Sequence, residues 1–235
     1  MKYLLIALLA LTLGLNAQSN KKYWDNKQVQ MDISIKNGKP NGMAKFYHDN
    51  GQLYLEIKYK DGKVSSNEVE LFSKDGKLLC INHYKNSYPD GEYKTFLFQN
   101  NMEVLFDGSY KDGEFTGVEN VYYKDSTLRS HTSYKDGKKD GIEKKYNYKG
   151  KLILETLYKK DKKNGVQKGF TTNGKSEIAY KNDLLNGSSK TYYKNGKLEN
   201  LTTYKDDKKN GASIEYNDDG TLAWEGTFKD DKLLK

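Results

Sequence analysis

Residues Tyr134–Leu152 read YKDGKKDGIEKKYNYKGKL, and residues Tyr180–Leu198 read YKNDLLNGSSKTYYKNGKL. The two stretches share one plan. An aromatic opens each, a glycine follows seven residues on (Gly141, Gly187), and a second aromatic follows five later (Tyr146, Tyr192). A Gly-Lys turn then leads to a leucine (Leu152, Leu198). Working outward, the opening aromatic recurs at Tyr59, Tyr84, Tyr110, Tyr134, Tyr158, Tyr180, Tyr204 and Phe228, at intervals of 25, 26, 24, 24, 22, 24 and 24. Self-similarity at a fixed period is the signature of a repeat array. Asn67 stands where the other repeats carry the glycine, and Ser66 reads as a one-residue insertion in the turn.

Each repeat reads as a β-hairpin. Asn-Gly or Asp-Gly between aromatic and aliphatic residues is a strong hairpin signal. Tyr47 and Leu53 are six apart. A three-residue loop, Asp49-Asn50-Gly51 with Gly51 left-handed, would pair them directly. From each leucine-type position to the next aromatic the count is always even, which keeps residues on one face of a strand. Val29, Met31, Ile33 and Ile35 alternate with polar residues in the same way, and helical periodicity is absent after residue 17. The expected fold is all-β: a single-layer, elongated antiparallel meander of roughly 16 to 18 strands, two per repeat. One face would carry both the aromatic and the leucine ladders, and the other would be polar.

Composition narrows the function. Charged residues make up 31% and hydrophobic residues 35%, too polar for a multi-spanning membrane protein. Yet 20 Tyr, 8 Phe and 2 Trp are too aromatic for a disordered chain. The single cysteine, Cys80, excludes an internal disulfide and a Cys-based zinc site. Lys2 and the apolar run Tyr3–Leu15 read as a secretory signal over residues 1–17, cut before Gln18. An uncleaved anchor is the alternative. Residues 18–30 form a lead-in. Residues 31–235 form the array, which is about eight repeats of about 24 residues and a partial ninth. The chain is expected to be exported, to the periplasm or the cell surface.

Chemical motifs are few. Gly169 to Ser176 matches the phosphate-loop pattern, but it falls on a strand and hairpin turn with no helix after it. His48, His83 and His131 lie in different repeats without metal-ligand spacing, and His48 reads as a solvated turn residue. Asp206-Asp207 and Asp218-Asp219 read as turn chemistry. No catalytic, cofactor-binding or metal-binding residue is assigned, and the chain is expected not to be an enzyme. The formal charge is +8 with Arg129 the only arginine. Nucleic acid is disfavoured, since arginine is the usual base-reading donor. The positive excess lies in the turns that follow each Tyr-Lys motif, densest at Lys159, Lys160, Lys162 and Lys163.

The repeated Tyr-x-x-Gly-x-x-x-Gly, followed by Tyr-Tyr-x-Asn-Gly-Lys-Leu, resembles the MORN repeat over about residues 31–235. The closer likeness is to its bacterial variant, which includes antitoxin-type proteins. The resemblance implies a single-layer twisted sheet. It also implies scaffolding, protein binding or lipid association, and for the bacterial variant, in some cases, a partner toxin. Three readings follow. The first is an exported non-enzymatic scaffold that binds a protein. The second is an antitoxin or immunity protein. The third is an envelope-associated module for anionic lipid or glycan. The candidate interaction face is Tyr134, Tyr146, Leu152, Leu154 and Tyr158, with a basic edge of Lys159, Lys160, Lys162 and Lys163 assisting encounter.

Overall fold

In a computed structural model, residues 19–99 and 102–234 are described. The proposed signal, residues 1–17, and residues 100–101 lie outside them. Among the described residues there are 21 strands and no helix. The chain divides into two units, residues 1–88 and 89–235.

The first unit holds β1 (Ser19–Tyr23), β2 (Val29–Lys36), β3 (Lys39–Tyr47), β4 (Leu53–Lys60), β5 (Lys63–Val64), β6 (Glu68–Phe72) and β7 (Leu78–Lys85). Each strand pairs antiparallel with the next, except that β4 pairs with both β5 and β6. The second unit runs from β8 (Tyr88–Gln99), β9 (Met102–Lys111), β10 (Glu114–Tyr122) and β11 (Leu128–Lys135) to β12 (Lys138–Tyr146) and β13 (Leu152–Lys159). It continues through β14 (Lys162–Lys163), β15 (Gly165–Phe170), β16 (Gly174–Lys181) and β17 (Leu184–Tyr193). It ends with β18 (Leu198–Lys205), β19 (Lys208–Tyr216), β20 (Leu222–Lys229) and β21 (Lys232–Leu234). Pairing again follows chain order, with β13 holding both β14 and β15. The strand count exceeds 16 to 18 partly because a bulge cuts β5 from β6 and β14 from β15.

Two turns alternate in each repeat. The first has two residues, as in Lys135↔Lys138 across Asp136-Gly137. Both turn residues take positive φ, 50° and 71° there. That is the type I′ geometry, which matches strand twist. The second is, in most repeats, the expected three-residue loop. His48 N–H donates to Gln52 O at 2.9 Å, Gly51 takes φ 82°, and Tyr47 pairs with Leu53. Between β15 and β16, however, Thr171 N–H donates to Gly174 O and Phe170 pairs with Lys175, which leaves a two-residue turn at Thr172-Asn173.

Two kinds of bulge add to the pattern read from the spacing; the second is absent between β15 and β16 and between β8 and β9, whose registers do not shift. After the two-residue turn, Asp140, Gly141 and Ile142 together face Ser133. Gly141 takes φ 115°. A Cβ there would stand 2.9 Å from Ser133 Cβ, so a side chain is excluded. Beyond the loop, Ile153 is left unpaired between Tyr146↔Leu152 and Lys145↔Leu154. Ser66 lies in the first kind of bulge rather than in the turn, and its Oγ accepts from Lys58 N–H at 2.7 Å.

The second bulge corrects the face assignment. An inserted residue flips alternation, so the even count from leucine to aromatic no longer means one face. Pairing links Tyr158 and Gly141, then Thr156 and Glu143, then Leu154 and Lys145, on one face. Tyr146 follows Lys145 directly on β12, so Tyr146 and its partner Leu152 lie on the other.

Within each unit, the buried residues among those described lie on one face. In the first unit these are Met31, Ile35, Ala44, Leu55, Ile57, Val69 and Leu71. In the second they are Phe115, Val121, Thr132, Glu143, Thr156, Thr202 and Ser213. Among the described residues no second layer covers that face. Bulges bend a strand and increase its twist, and at Glu143 the side chains of Lys139, Lys145 and Tyr158 reach in from the flanking rows. The other face of each unit stays open.

Candidate functional site

Five residues expected to share one surface are divided between two. Tyr134, Leu154 and Tyr158 lie on the buried face of the second unit, while Tyr146 and Leu152 lie on its open face. The rings of the first group are built into the fold. Tyr134 stacks edge-on against Phe115 at 4.9 Å and donates its hydroxyl to Glu119 at 3.2 Å. Tyr158 lies under the Lys139 ammonium, 5.0 Å from the ring centre, and donates to Glu143 at 3.4 Å. Burial first, then the charge of Glu143, pushes the Tyr158 hydroxyl up to about 12.

Glu143 shows how the buried face tolerates an acid. It is 4% exposed and is gripped by Lys139 at 2.6 Å and Lys145 at 3.4 Å. Burial pushes its carboxyl up, but the hydrogen bond and charge of Lys139, with help from Lys145, hold it below the usual range. Glu119 holds the same place one repeat earlier, with Phe115 and Val121 where Glu143 has the lysines. Burial dominates there, and its carboxyl lies above the usual range.

The basic edge is also divided. Lys159 and Lys162 pair across the turn formed by Lys160 and Asp161, and all three lysines are exposed. Lys163 is engaged: its ammonium lies 4.6 Å from the Tyr180 ring centre, and its N–H donates to Asp183 at 2.7 Å. Exposed lysine pairs flank other turns of this unit, as at Lys135/Lys138, Lys205/Lys208 and Lys229/Lys232.

Residues that sequence reasoning missed stand on the open face of the second unit. Ile142 pairs with Leu157, and Val166 with Ala179. Ile142, Leu157 and Val166 are 38%, 37% and 39% exposed. Beside them runs a ladder of alternating sign, Lys144↔Glu155↔Lys168↔Glu177↔Lys190, on five successive long strands. Lys168 and Glu155 approach to 3.4 Å and Lys144 and Glu155 to 3.9 Å. The available signal was positional: the residue after the bulge glycine and the residue before the leading tyrosine are both apolar only in these neighbouring repeats.

His48 is not a solvated turn residue. Its Nε2 bonds Phe72 O at 2.9 Å, and its ring meets Tyr54 edge-on at 5.0 Å. The position is a staple between repeats: Trp24 Nε1 donates to Tyr47 O, Tyr123 hydroxyl to Tyr146 O, and Tyr193 hydroxyl to Tyr216 O. Gly169 to Ser176 lies on β15, its turn and β16, as the sequence indicated. No group of three metal-ligating side chains forms among the described residues.

Three segments match the model of the MORN repeat variant: residues 40–61, 139–160 and 185–206. Each match begins five residues after a leading position and ends on the first residue of the next two-residue turn. No curated protein matches the chain. Among solved structures, a chain in the crystal structure of TcdB2-TccC3-Cdc42 aligns at 11% identity with a TM-score of 0.15. The alignment covers 90% of this chain and 17% of that one, and a likeness at that level carries neither fold nor function. One match in the first unit and two in the second support a MORN-repeat family for this chain.

Proposed function

We propose that this chain is an exported, non-enzymatic repeat scaffold that binds a protein partner on the open face of its second unit. One observation carries the reading. Ile142, Leu157 and Val166 stand exposed side by side, with a charged ladder along one border. An apolar strip with a polar rim is the anatomy of a protein interface. The test is in-cell cross-linking of the wild type and of Leu157→Lys, with folding checked by circular dichroism. The reading expects specific cross-linked species that the variant loses. Identical species in both would remove its support. Export is tested separately by the mass of the recovered protein, which should begin at Gln18.

A second reading has its own observation. The exposed lysine pairs at Lys135/Lys138, Lys159/Lys162, Lys205/Lys208 and Lys229/Lys232 share one edge and one face. The pairs at Lys205/Lys208 and Lys229/Lys232 enclose two aspartates each, so the net excess that favours docking to an anionic membrane surface lies at Lys159, Lys160 and Lys162, which enclose Asp161 alone. Sedimentation with phosphatidylserine vesicles, lost in high salt and in Lys159→Glu/Lys162→Glu, would support it. Equal sedimentation with phosphatidylcholine vesicles would oppose it.

A further inference from the structure

The open face of the second unit carries its apolar row and its charge ladder on the same strands. Ile142, Leu157, Val166 and Ala179 sit on β12, β13, β15 and β16. Lys144, Glu155, Lys168 and Glu177 sit on those same four strands, two residues away along each. The apolar row is continuous. Leu157 reaches toward β15 so closely that a Cβ on Gly165 would stand 2.8 Å from its Cδ1. Over the four strands that carry the apolar row, both rows are centred on the seam between β13 and β15; the fifth rung of the ladder, Lys190, lies beyond them on β17.

The charge order selects the occupant. A uniformly acidic or basic partner would meet attraction and repulsion on alternate strands. A second copy does not. A two-fold rotation about an axis along the β13–β15 seam brings open face to open face and reverses strand order. Lys144 then meets Glu177 of the other copy, and Glu155 meets Lys168. The same rotation lays Leu157 on Val166 and Ile142 on Ala179. An isologous contact needs such self-complementarity, and two sheets packed face to face stand about 10 Å apart with interdigitated side chains.

We propose that this face is a homodimer interface with its two-fold axis along that seam. The proposal rests on reading the open face as a protein-binding surface, and names the partner as a second copy of this chain. Sedimentation velocity of the purified protein over a range of concentrations and salt tests it. The wild type should dimerise with rising concentration and dissociate as salt is raised. Glu155→Lys alone and Lys168→Glu alone should each weaken dimerisation at least tenfold, because like charges then meet across the axis. The double variant Glu155→Lys/Lys168→Glu restores opposite charges at both contacts and should recover the dimer. Leu157→Lys should abolish it; should that variant fail to fold, the charge-swap series alone decides. A wild type that stays monomeric at every concentration overturns the proposal. So does a double variant no better than the singles. A monomeric wild type whose cross-linked partners are still lost with Leu157→Lys would leave the protein-binding reading standing while removing the dimer.

Discussion

Ile57 and Thr156 hold the same place in their repeats, two residues before the leading tyrosine, and each is 1% exposed. Ala44 and Glu143 likewise share a place, two residues after the bulge glycine. The first unit therefore buries an apolar row: Leu55, Ile57, Val69 and Leu71, backed by Phe46, Tyr59 and Tyr84. The second buries a mainly polar row along the same line of its own strands. Backbone pairing, bulges and turns are alike, so the repeat geometry does not depend on what fills the central row. What changes is the source of stability. Full burial of an isoleucine contributes about 1.5–3 kcal/mol. A buried threonine hydroxyl costs about 1–3 kcal/mol when it lacks a partner, and Thr156 Oγ1 has none among the described residues. The second unit leans instead on Tyr–Lys stacks and on the Lys139–Glu143–Lys145 cluster.

The largest effect should come from moving the second unit's chemistry into the first. Ile57→Thr should cost about 2–4 kcal/mol in chemical denaturation, since it removes buried apolar atoms and strands a hydroxyl in their place. A cost below about 1 kcal/mol would mean that the apolar row is not what holds the first unit.

Buried Glu143 and half-buried Glu119 give the next contrast, and their signs differ. Glu143 is depressed in the folded state. Its stabilisation is therefore present above the unfolded carboxylate range and is lost as pH falls through the folded value. Glu119 is raised, so its ionised form costs stability at neutral pH, and that cost is relieved on acidification. Glu143→Gln should lower the melting temperature at pH 7, and Glu119→Gln should raise it. The two differences should shrink by pH 4. Shifts of the same sign at pH 7 would contradict the assignment.

Thr156→Val should then be neutral or stabilising by up to about 1 kcal/mol, because it removes an unpartnered hydroxyl at nearly constant shape. Destabilisation beyond that would show that the hydroxyl has a structural partner.

The smallest effect concerns the turns. Lys139 N–H donates to the carboxylate of Asp161 at 2.8 Å, and the same bond recurs at Lys163/Asp183, Leu185/Asp207 and Lys209/Asp231. Pro40 and Pro89 occupy the equivalent donor place and have no N–H. The turns that follow them carry Gly62 and Gly113 instead. Asp161→Gly should cost about 0.5–1 kcal/mol, the lost bond partly offset by easier turn geometry. Gly62→Asp should give no gain, because Pro40 offers nothing to accept from.

Period, hairpins, the three-residue loop of most repeats and the absence of helix among the described residues were legible in the spacing of Tyr, Gly and Leu. The division of the candidate surface was not. Tyr146 and Tyr158 fall on opposite faces because Ile153 is inserted beside the loop, and this second bulge, unlike the glycine-marked first, has no residue type of its own to mark it. The buried lysine-held glutamate was also hidden, since Lys139, Glu143 and Lys145 look like any exposed charged run until Glu143 is seen opposite Thr132 and Thr156. The linkage between Pro40 and Gly62 was present in the letters. It acquires meaning only once the turn of one repeat is seen to bond the strand of the one before.

Amide hydrogen exchange on the intact protein tests the contrast of the two units most directly. The central-row amides of the first unit, Ala44, Ile57 and Val69, should exchange at least tenfold more slowly than those of Glu143, Thr156 and Thr202, a gap of about 1.4 kcal/mol in opening free energy. Equal protection in both rows, or slower exchange in the second, would contradict the account.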